Sequence, residues 1–118
     1  MINKKTIILA SYILIIIFFS FLDSKKINTI FPVWKYDKVF HFFEYLILGL
    51  LSASAIRSLY HNKFVFITII FIIFFPFVDE TIQYFIPSRV YDIKDIVVDI
   101  IGGHTGLAIY TQKIKKFR

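Results

Sequence analysis

The sequence predicts an all-α fold, a polytopic membrane protein built as a bundle of about four transmembrane helices in a single domain covering residues 1–118. Three observations predict it. Hydrophobic residue types make up 58% of the 118 residues, against roughly 45–50% in ordinary soluble domains. A chain this short leaves a large share of its surface wet, so it cannot hide that much apolar area in water. The apolar residues are also gathered into four runs with short polar breaks, and none alternates with the sustained period of two that a membrane barrel strand needs. Lipid offers no partner to a backbone N–H or C=O, so helices are the natural form of such runs.

The expected helices cover about residues 6–22, 38–60, 64–85 and 93–111. A crossing takes about 20 residues, with roughly 17–25 tolerated; the second and third runs meet this easily and the first and fourth are marginal. Thr6–Leu22 is apolar apart from Ser, Thr and Tyr and follows Lys4 and Lys5, as a secretory signal would. Its core is long for a signal, and Phe21, Leu22 and Asp23 offer no small-x-small cleavage site, so it is expected to stay as a span. Val39–Tyr60 carries His41, Glu44 and Arg57. Phe64–Phe85 is nearly all Phe, Ile and Val until Asp79. Pro76 is expected to kink it and free a backbone carbonyl near the level of Asp79 and Glu80, and Pro87 ends it. Ile93–Tyr110 contains Asp95, Asp99 and the glycines 102, 103 and 106.

Other classes are excluded by composition. The chain has no cysteine, which removes disulfide scaffolds and thiolate-bound zinc or iron–sulfur sites. The net charge of +6 could mark nucleic acid or membrane, and its placement decides. With four alternating spans, one side receives Lys4, Lys5, Arg57, Lys63 and the cluster Lys113, Lys115, Lys116 and Arg118, and no acid. The other side receives six basic residues and all eight acids. The Lys and Arg bias predicts cytoplasmic termini. The charge is then a topology and anionic-lipid signal, with no nucleic acid required. Trp34 and Tyr36 fit an outer interfacial belt and Tyr110 an inner one.

The polar residues of the acidic side fall on common helix faces. Asp37, His41, Glu44, Tyr45, Leu48 and Ser52 are spaced by three and four. Asp79, Glu80 and Gln83 occupy the last two turns before Pro87, and Asp92, Asp95, Asp99, Gly102 and Gly106 again step by three or four. At 1.5 Å per residue, His41, Glu44, Asp79 and Asp99 lie roughly 5–10 Å below the outer helix ends. Ionisable groups at such depth persist by facing one another or water. The expectation is an outward-facing polar pocket between the second, third and fourth helices. Asp37, Glu44, Asp79, Glu80, Asp95 and Asp99 outnumber Lys38, Arg89 and Lys94 there, so some should hold a proton or a bound cation. Gly102 and Gly106 form a Gly-x-x-x-Gly expected to draw the fourth helix against the second or third, with a homodimer face as the lesser use.

These segments resemble the VanZ-like family of membrane proteins. Asp37, Lys38, His41 and Tyr45 match its D-K-x-x-H-x-x-x-Y signature. Glu80, Gln83, Pro87 and Arg89 match its E-x-x-Q-x-x-x-P-x-R segment, and Asp95 and Gly102 match its closing D-x-x-x-N-x-x-G, with Asp99 in the Asn position. The resemblance covers residues 37–106. It implies about four transmembrane helices, the bacterial cytoplasmic membrane, and association with resistance to the glycopeptide antibiotic teicoplanin; it implies no settled reaction.

No cofactor is expected. His41 and Glu44 with Asp79, Glu80 or Asp99 could ligate a divalent metal, although one His without Cys is a thin ligand set. The plainer role is a His bonded to a carboxylate between helices. The functional expectation is a pocket formed by Asp37, Lys38, His41, Glu44, Tyr45, Asp79, Glu80, Gln83, Arg89, Asp95 and Asp99, which binds membrane lipid, a lipid-linked envelope precursor or an amphiphilic antibiotic. The alternative is a small enzyme using His and carboxylates on a lipid-linked phosphate or sugar, with Arg89 on the phosphate. A proton relay is disfavoured, because the inner halves of the second and third helices carry no ionisable chain across.

Overall fold

The computed structural model describes residues 2–22, 37–86 and 92–117. These form four helices: α1, Lys4–Ser20; α2, Asp37–Leu59; α3, Phe64–Tyr84; and α4, Ile93–Lys116. Among the described residues there is no strand. α2 and α3 are each long and apolar enough to cross a membrane. α1 has 17 residues, and α4 holds two aspartates and four lysines; neither meets the same criterion of length and composition.

Helix ends depart from the apolar runs where local chemistry supplies a cap. α1 begins at Lys4 because Asn3 caps it: Asn3 Oδ1 accepts from the Thr6 N–H at 3.0 Å and Thr6 Oγ1 accepts from the Asn3 N–H at 2.9 Å, a reciprocal capping box. α4 starts where the Asp92 carboxylate accepts from the Lys94 N–H at 2.9 Å. It runs on to Lys116, past the apolar stretch that was expected to end it near 111. Lysines in the last turn suit the negative end of the helix dipole, so the helix outlasts its hydrophobic run. α3 is continuous through a buried Pro76. The carbonyl that Pro76 leaves without its i+4 N–H is that of Ile72. It lies two turns from Asp79, not at its level as expected from the sequence.

α2 and α3 form an antiparallel hairpin through residues 60–63, closed by Tyr60 N–H to Ile56 O (2.7 Å) and Lys63 N–H to Tyr60 O (3.0 Å). α2 packs most extensively on α4, and glycine makes the approach possible. A methyl at Gly102 would overlap the Phe42 carbonyl oxygen, and one at Gly106 would overlap that of Leu46. Within the chain, the Gly-x-x-x-Gly face is therefore occupied by α2. α1 lies on α2 and α3, with Ile16 buried beside Tyr45, Leu48 and Phe75. A second apolar core of Ala53, Ile72 and Leu107 lies toward the hairpin end. The outer surface is apolar: Leu14, Phe18, Phe66, Phe74 and Ile101 are each more than half exposed.

Candidate functional site

The end of the bundle opposite the hairpin contains a network of buried polar side chains. His41, one turn into α2, is 7% exposed. Its Nδ1 lies 2.7 Å from Asp99 Oδ1, and its Nε2 lies 3.8 Å from Asp95 Oδ2. An ionised Asp99 can only accept, which assigns the proton of that bond to Nδ1. What this bond takes from residue 99 is a side-chain oxygen that accepts from the imidazole N–H. Lys38, one turn above His41, binds Asp92 Oδ2 at 2.7 Å and also pairs with Asp95. The N-terminus of α2 is thus tied to that of α4.

On the α3 side, Asp79 and Glu80 are fully buried. The Tyr45 hydroxyl donates to Asp79 Oδ2 at 2.8 Å, and the Ser20 hydroxyl donates to Asp79 Oδ1. Glu80 Oε1 accepts from the Asp92 N–H at 2.9 Å, so α3 anchors the start of α4. Gln83 is 5% exposed on the same face of α3. Glu80 Oε2 and Asp99 Oδ2 are buried and have no hydrogen-bond partner among the described residues.

The structure thus gathers Lys38, His41, Tyr45, Asp79, Glu80, Asp95 and Asp99 at one end of the bundle in two bonded sets, Tyr45 and Asp79 with Ser20, and His41, Glu80, Asp95 and Asp99 with Asp92 and the partly exposed Lys38. Glu44 is half-buried toward α1, and its backbone oxygen accepts from the Tyr12 hydroxyl at 2.7 Å. Asp37 opens α2, but its side chain lies outside the described residues, as do Arg89, Trp34 and Tyr36. Two contributors were not found by sequence reasoning. Ser20 brings α1 into the network, although it reads as one more hydroxyl in an apolar run. Gly49 mirrors the glycines of α4, since a methyl there would overlap the Gly103 carbonyl oxygen. A lone glycine in the middle of a helical run was the available signal for it.

Asp92 lies outside the helices, and its carboxyl is held below the usual carboxylate range, first by its hydrogen bond to the Lys38 ammonium and then by the Lys94 N–H. Among the described residues, no group of three His, Cys, Asp or Glu side chains is arranged to hold a metal ion. Chemically, the network offers a His oriented by a carboxylate, two carboxylate oxygens without partners among the described residues, and a partly exposed Lys38–Asp92 pair at its edge.

Neither a search of curated proteins nor one of solved structures finds a match. The family model described as VanZ/LLP1 matches residues 3–115, including every helix-borne member of the network. The chain belongs to the VanZ/LLP1 family.

Proposed function

We propose that this protein is a multi-pass protein of the bacterial cytoplasmic membrane, with both termini cytoplasmic, that binds an amphiphilic envelope molecule at its extracytoplasmic polar network. The carrying observation is the inversion of polarity: aspartates, a glutamate and a histidine are buried between helices whose outer faces are exposed Phe, Ile, Leu and Val. Four spans fit this inversion. The 17 residues of α1 reach about 26 Å at 1.5 Å per residue, close to the roughly 30 Å of hydrocarbon. In α4, Asp95 and Asp99 are buried while Ile93, Val97, Ile101 and Ile109 are exposed. Its low overall hydropathy therefore misstates the surface that lipid would meet.

Membership of the VanZ/LLP1 family supports a role among envelope ligands, namely a membrane lipid, a lipid-linked precursor or an amphiphilic glycopeptide such as teicoplanin. Conferred resistance is the cellular outcome this reading extends to. The runner-up is a small membrane enzyme, favoured by the 2.7 Å His41–Asp99 bond, which is how an imidazole is oriented for acid–base work.

The test uses the chain in a teicoplanin-susceptible host and in purified form. Substituting His41→Ala, Glu80→Gln or Arg89→Ala is expected to abolish protection and ligand binding while membrane insertion persists. Full function in all three variants overturns the reading. Incubation with labelled envelope lipids separates the two classes, since only an enzyme yields a new product. The chain has no native cysteine, so single introduced cysteines report the topology directly. Labelling from the periplasmic or outer side at position 61 would refute the orientation.

A further inference from the structure

We infer that the group this site takes from its ligand is a positively charged ammonium, not a phosphate; the inference rests on the binding role proposed above and names its substrate class. The sign of the site comes first. Glu44, Asp79, Glu80, Asp92, Asp95 and Asp99 are gathered at this end of the bundle, against Lys38, Lys94 and the titratable His41 among the described side chains. Lys38 is already bound to two of the aspartates, so among the described residues an arriving anion meets carboxylates whose paired ammonium is engaged.

The hydrogen bonding points the same way and is independent of the charge count. The donors of the network are already committed: Tyr45 and Ser20 to Asp79, His41 Nδ1 to Asp99, and the Asp92 N–H to Glu80. What remains on the carboxylates is acceptor capacity, and the Gln83 amide adds an acceptor oxygen together with its N–H donors. Glu80 and Asp99 are both fully buried, and each keeps one oxygen without a partner among the described residues. Gln83, 5% exposed on the face of α3 that carries Asp79 and Glu80, makes no side-chain hydrogen bond among the described residues. Leaving such acceptors dry is costly, and hydrogen bonds to charged groups strengthen in a low-dielectric interior. An ammonium brings three N–H donors and a compensating charge. A phosphate brings only acceptors and a like charge. A sugar hydroxyl can donate but leaves the charge uncompensated.

The test uses the full chain in phosphatidylcholine nanodiscs and three labelled probes of equal chain length, dodecylamine, dodecyl phosphate and dodecanol, with empty nanodiscs as background. Dodecylamine is expected to bind saturably and about ten-fold more tightly than either of the others, the equivalent of one charged hydrogen bond. Asp99→Asn and Glu80→Gln should each weaken dodecylamine by a similar factor, while Lys113→Gln at the opposite end leaves it unchanged. The three-probe comparison on the unaltered protein stands even if a variant fails to fold. Repeating it in discs containing phosphatidylethanolamine identifies the source of the amine. Competition there assigns it to a resident lipid headgroup and its absence assigns it to a non-resident amphiphile; both results support the charge assignment. Tighter binding of dodecyl phosphate that depends on Asp99 or Glu80 overturns the ammonium inference and keeps the binding role. Absence of saturable binding by all three probes overturns both.

Discussion

Replacing Gly106 by alanine tests whether close contact between α2 and α4 is what holds the polar network together. In an exposed helix interior this change stabilises by about 1 kcal/mol, because alanine loses less backbone freedom than glycine. Here the added methyl meets the Leu46 carbonyl oxygen about an ångström inside ordinary contact distance, and the Leu50 nitrogen lies 2.9 Å away. Both neighbours are backbone, so no rotamer change relieves the overlap and the helices must move apart. Overpacking of this kind costs about 1–3 kcal/mol, which more than cancels the propensity gain and reverses the sign. Separation at Gly106 also lengthens the His41–Asp99 contact of 2.7 Å, because Asp99 lies two turns along the same helix. Thermal unfolding of the purified protein in detergent, followed by circular dichroism, should show a lower midpoint for Gly106→Ala than for the parent. An unchanged or raised midpoint would refute the packing argument and, with it, the reason for reading Gly106 as an internal contact.

Two further outcomes follow from the network. Tyr45→Phe removes a donor from the buried Asp79 while keeping the ring against Phe75; it should destabilise by about 1–3 kcal/mol, more than Thr81→Ala on the exposed face of α3, as read by the same thermal assay. Asp92→Asn keeps an N-cap of equal quality but removes the charge that Lys38 binds. Because the folded Asp92 carboxyl titrates below its unfolded value, its contribution is complete above the unfolded pKa of about 3.9 and is lost as pH falls through the folded value. The parent should therefore lose stability below about pH 4 by an amount that Asp92→Asn does not show. Both partners are more than a third exposed, so screening keeps that difference to about 1 kcal/mol or less. Equal acid sensitivity in the two proteins would count against the pair.

The division between what was and was not legible in the sequence follows from what periodicity measures. Spacing identifies the residues that share a face, and the buried sets His41, Tyr45, Leu48 and Ser52, and Asp95, Asp99, Gly102 and Gly106, are the stripes read from it. Spacing does not fix how a face is turned toward its neighbours. Glu44 shares its stripe with His41 yet lies half-buried toward α1, where the Tyr12 hydroxyl meets its backbone. Nor does spacing reveal that Gly102 and Gly106 meet α2 while Gly103 meets Ile72 of α3. Ser20 was illegible for a different reason. A hydroxyl in an apolar helix normally bonds to the carbonyl four residues back, and the Ser20 hydroxyl lies within bonding distance, 2.9 Å, of Ile16 O. Its contact with Asp79 depends on α1 reaching α3, which no local pattern encodes.

α4 shows why the hydropathy of one helix is a poor measure of its environment. Two aspartates and four lysines lower its average, yet the charges occupy three different settings. Asp95 and Asp99 are buried against Lys38 and His41. Lys94 is exposed at the start of the helix, and the other lysines extend it beyond the apolar stretch. Between these ends, its outward side presents Val97, Ile101 and Ile109. A carboxylate left facing hydrocarbon at mid-depth costs about 2.5–3.5 kcal/mol on insertion scales. The same group turned toward a lysine or an imidazole contributes to assembly instead. The helix is thus poorly apolar alone and apolar where it faces outward once α2 is beside it. For that reason the glycine contacts and the Lys38 and His41 pairs together determine which face α4 turns outward.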